Sequence, residues 1–212
     1  MTFNIIATGS GGNAALINST ILIDCGATWK KLKPYADQIR LVLLTHAHSD
    51  HFKPSTVRAL HKQHPAIRFG CCEWMVSPLF EAGVDKRRID VYEHDLGFIT
   101  YGEFSIEPVA LTHDVPNGGY KIISLDGGVF YATDCATLDG IEAKNYDLYM
   151  IESNHLRDEI DARIEAKRAA GEYAYELEAK RNHMSQEQAL DWLASNAGPN
   201  SKYVFLHQHN GR

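Results

Sequence analysis

Cysteine is scarce in this chain of 212 residues, and its placement excludes two classes of protein. The four are Cys25, Cys71, Cys72 and Cys135, with no C-x-x-C spacing among them. Cysteine-ligated zinc modules and small disulfide frameworks both need paired or more numerous cysteines. We therefore predict that all four are reduced and buried as small apolar side chains.

Long apolar runs are also missing, so we expect no membrane contact. The longest such runs have only a few residues, whereas a spanning helix needs about 20. The first residues, Met1-Thr2-Phe3-Asn4, lack the basic region and cleavage site of a secretory signal. No repeat, linker or low-complexity tract divides the chain. These absences predict one domain, residues 1–212, located in the cytoplasm.

Histidine is unusually frequent in this chain. The chain has eleven, against three tryptophans and four methionines. Histidine is the commonest metal ligand in proteins, so the count points toward metal chemistry. The net charge of −6 argues against a broad nucleic-acid surface, which is normally basic. Two bound divalent cations would offset much of that charge locally.

Short apolar runs between turn-forming residues predict a series of strands. These are residues 3–7, 14–17, 21–23, 41–44, 105–111, 120–125, 129–132, 148–151 and 203–206, with a hairpin at Asp126-Gly127-Gly128. Apolar spacing and capping residues predict helices at 54–64, 73–82, 156–181 and 185–195, the last with Ser185 as N-cap. Strands with interspersed helices around one core predict a layered α/β fold.

A cluster of metal-ligating side chains follows the predicted strand 41–44. It reads His46-Ala47-His48-Ser49-Asp50-His51. Two residues at i and i+2 in a loop leaving a strand can face one ion, and Asp50 and His51 can turn toward a second. Imidazole and carboxylate ligands suit zinc, manganese or iron.

One loop cannot complete two coordination shells, and three further candidates each follow a predicted strand. They are His113, Asp134 and His207. We assign one ion to His46, His48 and His113, the second to Asp50, His51 and His207, with Asp134 bridging. Seven ligands on two ions leave room for a bridging water.

This ordered set resembles the signature of the metallo-β-lactamase-fold hydrolases along nearly the whole chain. The resemblance implies an αββα sandwich with two divalent metal ions, zinc or manganese with iron also possible, at one sheet edge. It also implies that Asp24 matches an acidic residue that orients the histidine-bearing loop by hydrogen bonding.

Four shorter segments resemble the exonucleases of the WalJ/YycJ type within that superfamily. They are residues 8–13 with 21–26, residues 111–120, Ile151-Glu152-Ser153-Asn154-His155, and Asn182-His183-Met184-Ser185. The closing segment, His207-Gln208-His209-Asn210, departs from the family pattern after His207. His155 and His209 therefore stay open between supporting the site and contacting substrate. The chain is also too short for the large β-CASP insertion of some RNA-processing relatives, which favours DNA over RNA.

The same resemblance implies a proton donor. In ribonuclease Z-like members a histidine held by an upstream glutamate handles the proton, and the counterparts here are His183 and Glu152. We place both, with Asp50, in the catalytic machinery. The alternative for His183 is a buried structural or capping histidine.

Two further features can contact phosphate. Gly11, Gly12 and Asn13 can turn backbone N–H groups toward it, and Ser185 opens the last helix; the alternative is a tight turn between strands. The basic clusters Lys30-Lys31-Lys33 and Lys86-Arg87-Arg88 can guide a nucleic-acid backbone, or are simply solvated.

The sequence thus predicts a dinuclear phosphodiesterase that cleaves nucleic acid, as an exonuclease acting on DNA, with a hydroxide bridging the ions as nucleophile. One alternative keeps the metals and cleaves a small phosphodiester such as a cyclic nucleotide, a lactone or a thioester. Another is a metal-stabilised binding protein without activity. The native metal, cleavage polarity and oligomeric state stay open.

Overall fold

The structure, a computed structural model, describes residues 1–94 and 96–208. By its internal contacts the chain divides into two compact units, Met1–Val109 and Ala110–Arg212. The prediction of a single domain over residues 1–212 stays a prediction. Among the described residues, no helix is both long and apolar enough to cross a membrane.

The first unit is built on a six-stranded sheet in the order β1-β2-β3-β4-β5-β6. The strands are Phe3–Ala7, Ala14–Ile17, Ile21–Ile23, Leu41–Leu44, Arg68–Cys71 and Ile89–Val91. Pairing is antiparallel from β1 to β3 and parallel from β3 to β6. Helices α1, α2 and α3 are Trp29–Leu32, Pro54–Gln63 and Val76–Glu81.

The parallel pair β3 and β4 positions the first half of the candidate site. Every residue of both strands is buried, as expected for parallel strands covered on both faces. Their register pairs Ile21 with Leu41 and Ile23 with Leu43. Their carboxyl ends therefore lie side by side, and Asp24 leaves the sheet beside Thr45 and His46.

The second sheet has the order β12-β11-β10-β9-β8-β7. Its strands β7 to β12 are Ile99–Tyr101, Phe104–Leu111, Asn117–Ser124, Gly127–Ala132, Leu148–Glu152 and Lys202–Leu206. The boundary between the two units falls within β8. In the second unit, β10, β11 and β12 are parallel. The residues that follow them, including Asp134 and His207, therefore emerge at the same sheet edge, with Glu152 as the last residue of β11.

Three helices complete the second unit: α4, α5 and α6, at Arg157–Ala170, Glu176–Asn182 and Gln186–Asn196. The single helix expected over 156–181 is wrong, because Gly171 takes a left-handed φ of 69° and ends α4. Ile160 and Ile164 still share a buried face. Ser185 caps α6 as expected, and a reciprocal bond from Gln188 completes a capping box.

The predicted burial of the cysteines is confirmed. All four are free thiols in the core. Burial raises the pKa of Cys72 to about 12 and that of Cys135 well above its ordinary value. The thiols therefore stay protonated near neutral pH and pack as apolar groups.

Candidate metal-binding active site

Asp24 is the centre of the hydrogen-bond network beneath the histidine loop in the first unit. Its side chain is fully buried. His51 Nδ1 lies 2.7 Å from Asp24 Oδ2, and the backbone N–H and the hydroxyl of Thr45 each donate at 3.0 Å. Burial raises the pKa of Asp24 although the contact with His51 opposes the rise. The orienting role expected for Asp24 matches this geometry.

This network fixes which ring nitrogens of His46 and His51 can bind a metal. His51 donates from Nδ1 to Asp24, so its lone pair is on Nε2. The Thr45 hydroxyl proton goes to Asp24, so the hydroxyl oxygen accepts from His46 Nδ1 at 3.0 Å. His46 therefore also carries its lone pair on Nε2.

The four loop residues stay together at the edge of the first sheet. The ring of His46 lies 4.8 Å from that of His48 and 4.2 Å from that of His51, between centroids. Asp50 Oδ2 is 3.6 Å from His51 Nε2. The loop thus presents three imidazoles and a carboxylate within one small region, and their role as metal ligands stays a prediction.

The turn that contains Gly11, Gly12 and Asn13, which are expected to contact phosphate, is hydrogen-bonded to the loop from His46 to His51. The Asn13 N–H donates to the Asp50 carbonyl at 2.6 Å, and that of Gly12 to the Gly9 carbonyl at 2.9 Å. Asn13 Nδ2 also lies 2.7 Å from His51 Nε2. The N–H groups of Gly12 and Asn13 thus already donate to carbonyl groups within the first unit. The phosphate contact stays a prediction, and its main donor would be the exposed Gly11.

In the second unit, Asp134 and His207 occupy strained positions directly beyond strand ends. Their φ angles are 54° and 51°, and Asp24 in the first unit has a φ of 63°. Left-handed backbone is uncommon outside glycine and concentrates at functional sites. The sequence gives no signal for these conformations.

His113 is oriented in the same way as His46 and His51. Its Nδ1 donates to the Asn182 carbonyl at 3.2 Å, and its Nε2 lies 3.9 Å from Asp134 Oδ2. The same Nε2 is 3.1 Å from Asp114 Oδ1, a contact for which the sequence carries no signal. Burial lowers the pKa of His113, which favours the neutral imidazole that binds metals.

Glu152 and His183 form a short hydrogen-bonded pair in the second unit. His183 Nδ1 is 2.5 Å from Glu152 Oε1. Glu152 is fully buried, and its Oε2 accepts from the backbone N–H groups of Cys135 and Met184 at 2.9 and 3.2 Å. Burial opposes both shifts, but the hydrogen bond lowers the pKa of Glu152 and raises that of His183. The imidazole therefore gains proton affinity.

These residues form a cluster with the chemistry of a metal site. Asp134, Glu152, His183 and His207 each offer a polar atom within 4.8 Å of the others. Both oxygens of Glu152 already accept hydrogen bonds, which leaves Asp134 and His207 as the better candidates for metal ligands in this cluster. Imidazoles and carboxylates at this spacing suit a divalent ion.

The remaining candidates lie nearby in the second unit. The Ser185 hydroxyl accepts from the Gln188 N–H at 3.3 Å, so it serves the helix cap, and a phosphate contact stays a prediction. The backbones of His155 and Ser185 form an isolated parallel β-bridge. His209 lies outside the described residues. Asn154, quoted only as part of a motif, is buried and donates from Nδ2 to the His207 carbonyl at 3.2 Å.

Comparisons with known proteins identify the fold. A comparison with curated protein sequences finds no match. The chain is similar to the metallo-β-lactamase-fold protein YhfI from Bacillus subtilis, with 20% identity and a TM-score of 0.72 over 99% of this chain and 87% of that one. It is also similar to the short form of human tRNase Z, with 16% identity and a TM-score of 0.69 over 99% and 93% of the two chains. A third similar structure, a diphosphatase of the PhnP family, has 13% identity and a TM-score of 0.63 over 97% and 85%.

These likenesses show the fold, and the α/β expectation is confirmed with it. Residues 19–207 match the family model of the β-lactamase superfamily domain. The match includes every residue predicted to bind metal. The chain belongs to the β-lactamase superfamily, in its metallo-β-lactamase fold.

Proposed function

We propose that this protein is a dinuclear metal-dependent phosphodiesterase that hydrolyses nucleic acid, as an exonuclease acting on DNA. The Glu152–His183 pair carries the proposal. Its 2.5 Å contact lies within the cluster that contains Asp134 and His207. Cleavage of a phosphodiester releases an alkoxide that needs a proton, and an imidazole fixed by a carboxylate can supply it. A thioester leaves as a thiolate and does not require this donor.

The metal ligands in this proposal are the seven expected from the sequence. His46, His48 and His113 would hold one ion, Asp50, His51 and His207 would hold the other, and Asp134 would be shared between them. When bound, two divalent ions lower the pKa of water and offset the negative charge that develops on the phosphate. Zinc and manganese both suit this donor set, as does iron.

His183 then acts at one defined atom. Its Nδ1 is fixed on Glu152, so Nε2 is the atom that passes the proton to the leaving oxygen. The side chain is 17% exposed, enough for substrate to reach one edge of the ring. Its contact with Glu152 raises the pKa of His183, which favours the protonated form needed for donation.

The choice of substrate rests on the sequence resemblance, the charge of the chain and the proteins that share its fold. The segments that resemble the WalJ/YycJ-type exonucleases favour DNA. A tRNase Z with the same fold supports nucleic acid as the substrate class without favouring DNA over RNA. The net charge of −6 and a diphosphatase with the same fold favour the second candidate, a small phosphodiester such as a cyclic nucleotide.

The test is an assay of metal-loaded protein on single- and double-stranded DNA, RNA and cyclic nucleotides, with each strand labelled at either end. We expect shortening of DNA from one end, loss of cleavage in Asp50→Ala, and a loss of about 100- to 10,000-fold in kcat for His183→Ala. His64→Ala, which changes a histidine at the end of α2, serves as the matched control.

A substrate with an acidic leaving group sharpens the test. Bis(p-nitrophenyl) phosphate releases a phenolate that needs no proton, so His183→Ala should cleave it at close to the unmodified rate. Equal losses on both substrates would contradict the proton-donor role. Wild-type cleavage of DNA by His183→Ala would contradict the proposed mechanism altogether.

A further inference from the structure

Glu152 contacts a second imidazole besides that of His183. His207 Nδ1 lies 3.3 Å from Glu152 Oε1, the same oxygen that accepts from His183. The rings of His183 and His207 are stacked, with centroids 5.1 Å apart and planes at 21°. Two parallel rings thus direct their Nδ1 atoms at one carboxylate oxygen.

A competing partner for His207 Nδ1 is the Asn154 amide, whose Nδ2 is also 3.3 Å away. That amide has another acceptor, the His207 carbonyl, at 3.2 Å. A buried carboxylate accepts a charge-assisted bond that is stronger than a neutral one. The proton on His207 therefore belongs on Nδ1, where it is donated to Glu152.

We propose that Glu152 is a positioning residue shared by the proton donor and the metal site. By accepting from His207 Nδ1 it leaves the lone pair on Nε2, the orientation that His46, His51 and His113 also have. The inference rests on the proposed function, since His207 is a metal ligand there. It goes further because it links ligand orientation to proton donation through one oxygen.

The position of Glu152 suits this double role. Its Oε2 is anchored by the N–H groups of Cys135 and Met184, directly beside Asp134 and His183 in sequence. The carboxylate cannot turn without breaking both bonds. Asp24 has the corresponding place in the first unit, where one buried carboxylate serves His51 and, through Thr45, His46.

The first measurement uses the full unmodified chain without metal. Nitrogen-15 spectra of the imidazoles, assigned with His183→Ala and His207→Ala, report the tautomer of each ring. We expect His207 to carry its proton on Nδ1, and to keep it there in His183→Ala. The Nε2–H tautomer at His207 in the unmodified chain would overturn the inference, whether or not the protein cleaves anything.

The second measurement is zinc binding by calorimetry and by metal analysis after dialysis. Glu152→Gln should weaken the binding of one ion by about 10- to 100-fold. This is the usual effect of losing a residue that hydrogen-bonds a metal ligand. His183→Ala should bind both ions as the unmodified chain does while losing DNA cleavage. Two ions bound with unchanged affinity by Glu152→Gln would overturn the shared role.

These outcomes separate the inference from the proposed function. If the unmodified chain binds no divalent ion, the proposed function fails and the tautomer still decides the geometry. If Glu152→Gln does not fold, the spectrum of the unmodified chain carries the test alone.

Discussion

At the scale of single residues, the loop from His46 to His51 depends on a glycine that allows the close approach of two backbone segments. A Cβ on Gly26 would lie 1.6 Å from the Asp50 carbonyl oxygen. The Gly26 N–H donates to the Asn13 carbonyl, and the Cys25 N–H to the His51 carbonyl. Only glycine at position 26 lets these segments meet.

Gly26→Ala should therefore displace the loop that bears Asp50 and His51. We expect a loss of at least about 1–3 kcal/mol in the free energy of unfolding, the usual cost of overpacking. Denaturant unfolding of the metal-free protein measures it. Gly11→Ala is the matched control, because a Cβ there meets nothing within 4 Å. Equal stability of the two variants would contradict the close-approach argument.

The candidate site residues could be identified from the sequence, but their hydrogen-bond partners could not. The pattern from His46 to His51 and the placement of Asp134 and His207 after strands were enough to group the candidate ligands. The Asn13–His51 contact and the contact of Glu152 with His207 join residues that are 38 and 55 positions apart in the chain, and no local pattern encodes such an approach. The left-handed backbone at Asp24 likewise has no signature, since aspartate adopts it only where surroundings impose it.

At the scale of elements, strands with strong apolar runs were predicted well and weak ones were missed. Strands β3 and β4 are continuous apolar runs, and a hairpin turn joins β9 to β10. β5 contains Arg68 and Gly70, and β6 and β7 have three residues each. Their strand conformation comes from pairing with neighbours, because local propensity is too weak to specify it.

Sheet topology also distinguishes the two basic clusters. The first cluster consists of the exposed Lys30, Lys31 and Lys33. It follows β3 and the short segment at Cys25 whose backbone N–H donates to the His51 carbonyl. Residues 86–88 precede β6, which is parallel to β5, so they lie at the opposite end of the sheet. Arg87 is also tied to Asp85. The cluster at 30–33 is thus the better candidate for contacting a nucleic-acid backbone.

Changing all three lysines at 30, 31 and 33 to glutamate should weaken binding of long DNA. Each lost phosphate contact reduces the slope of log K against log salt by about 0.9. Cleavage of bis(p-nitrophenyl) phosphate should not change. The matched triple change at Lys86, Arg87 and Arg88 should leave both unaffected. The same salt slope in both triple variants would exclude a specific role for the 30–33 cluster.

At the scale of the whole molecule, metal binding and stability should be linked. The chain has a net charge of −6, and the fully buried Asp24 and Glu152 add a desolvation cost to the folded state. Divalent ions bound only by the folded chain would offset negative charge at its ligands. They stabilise it by mass action, since the unfolded chain holds no preformed site.

Removal of metal should therefore lower the unfolding temperature. An ion present at 100 times its Kd contributes about 2.7 kcal/mol, equivalent to roughly 5–10 °C for a chain of this length. Differential scanning fluorimetry with EDTA and with added zinc, manganese or iron measures the shift and ranks the metals. Asp50→Ala should lose part of the shift and His64→Ala should keep it all. The absence of a shift with each of these ions would contradict the dinuclear assignment, and a shift of equal size in Asp50→Ala would contradict the role of Asp50 as a ligand.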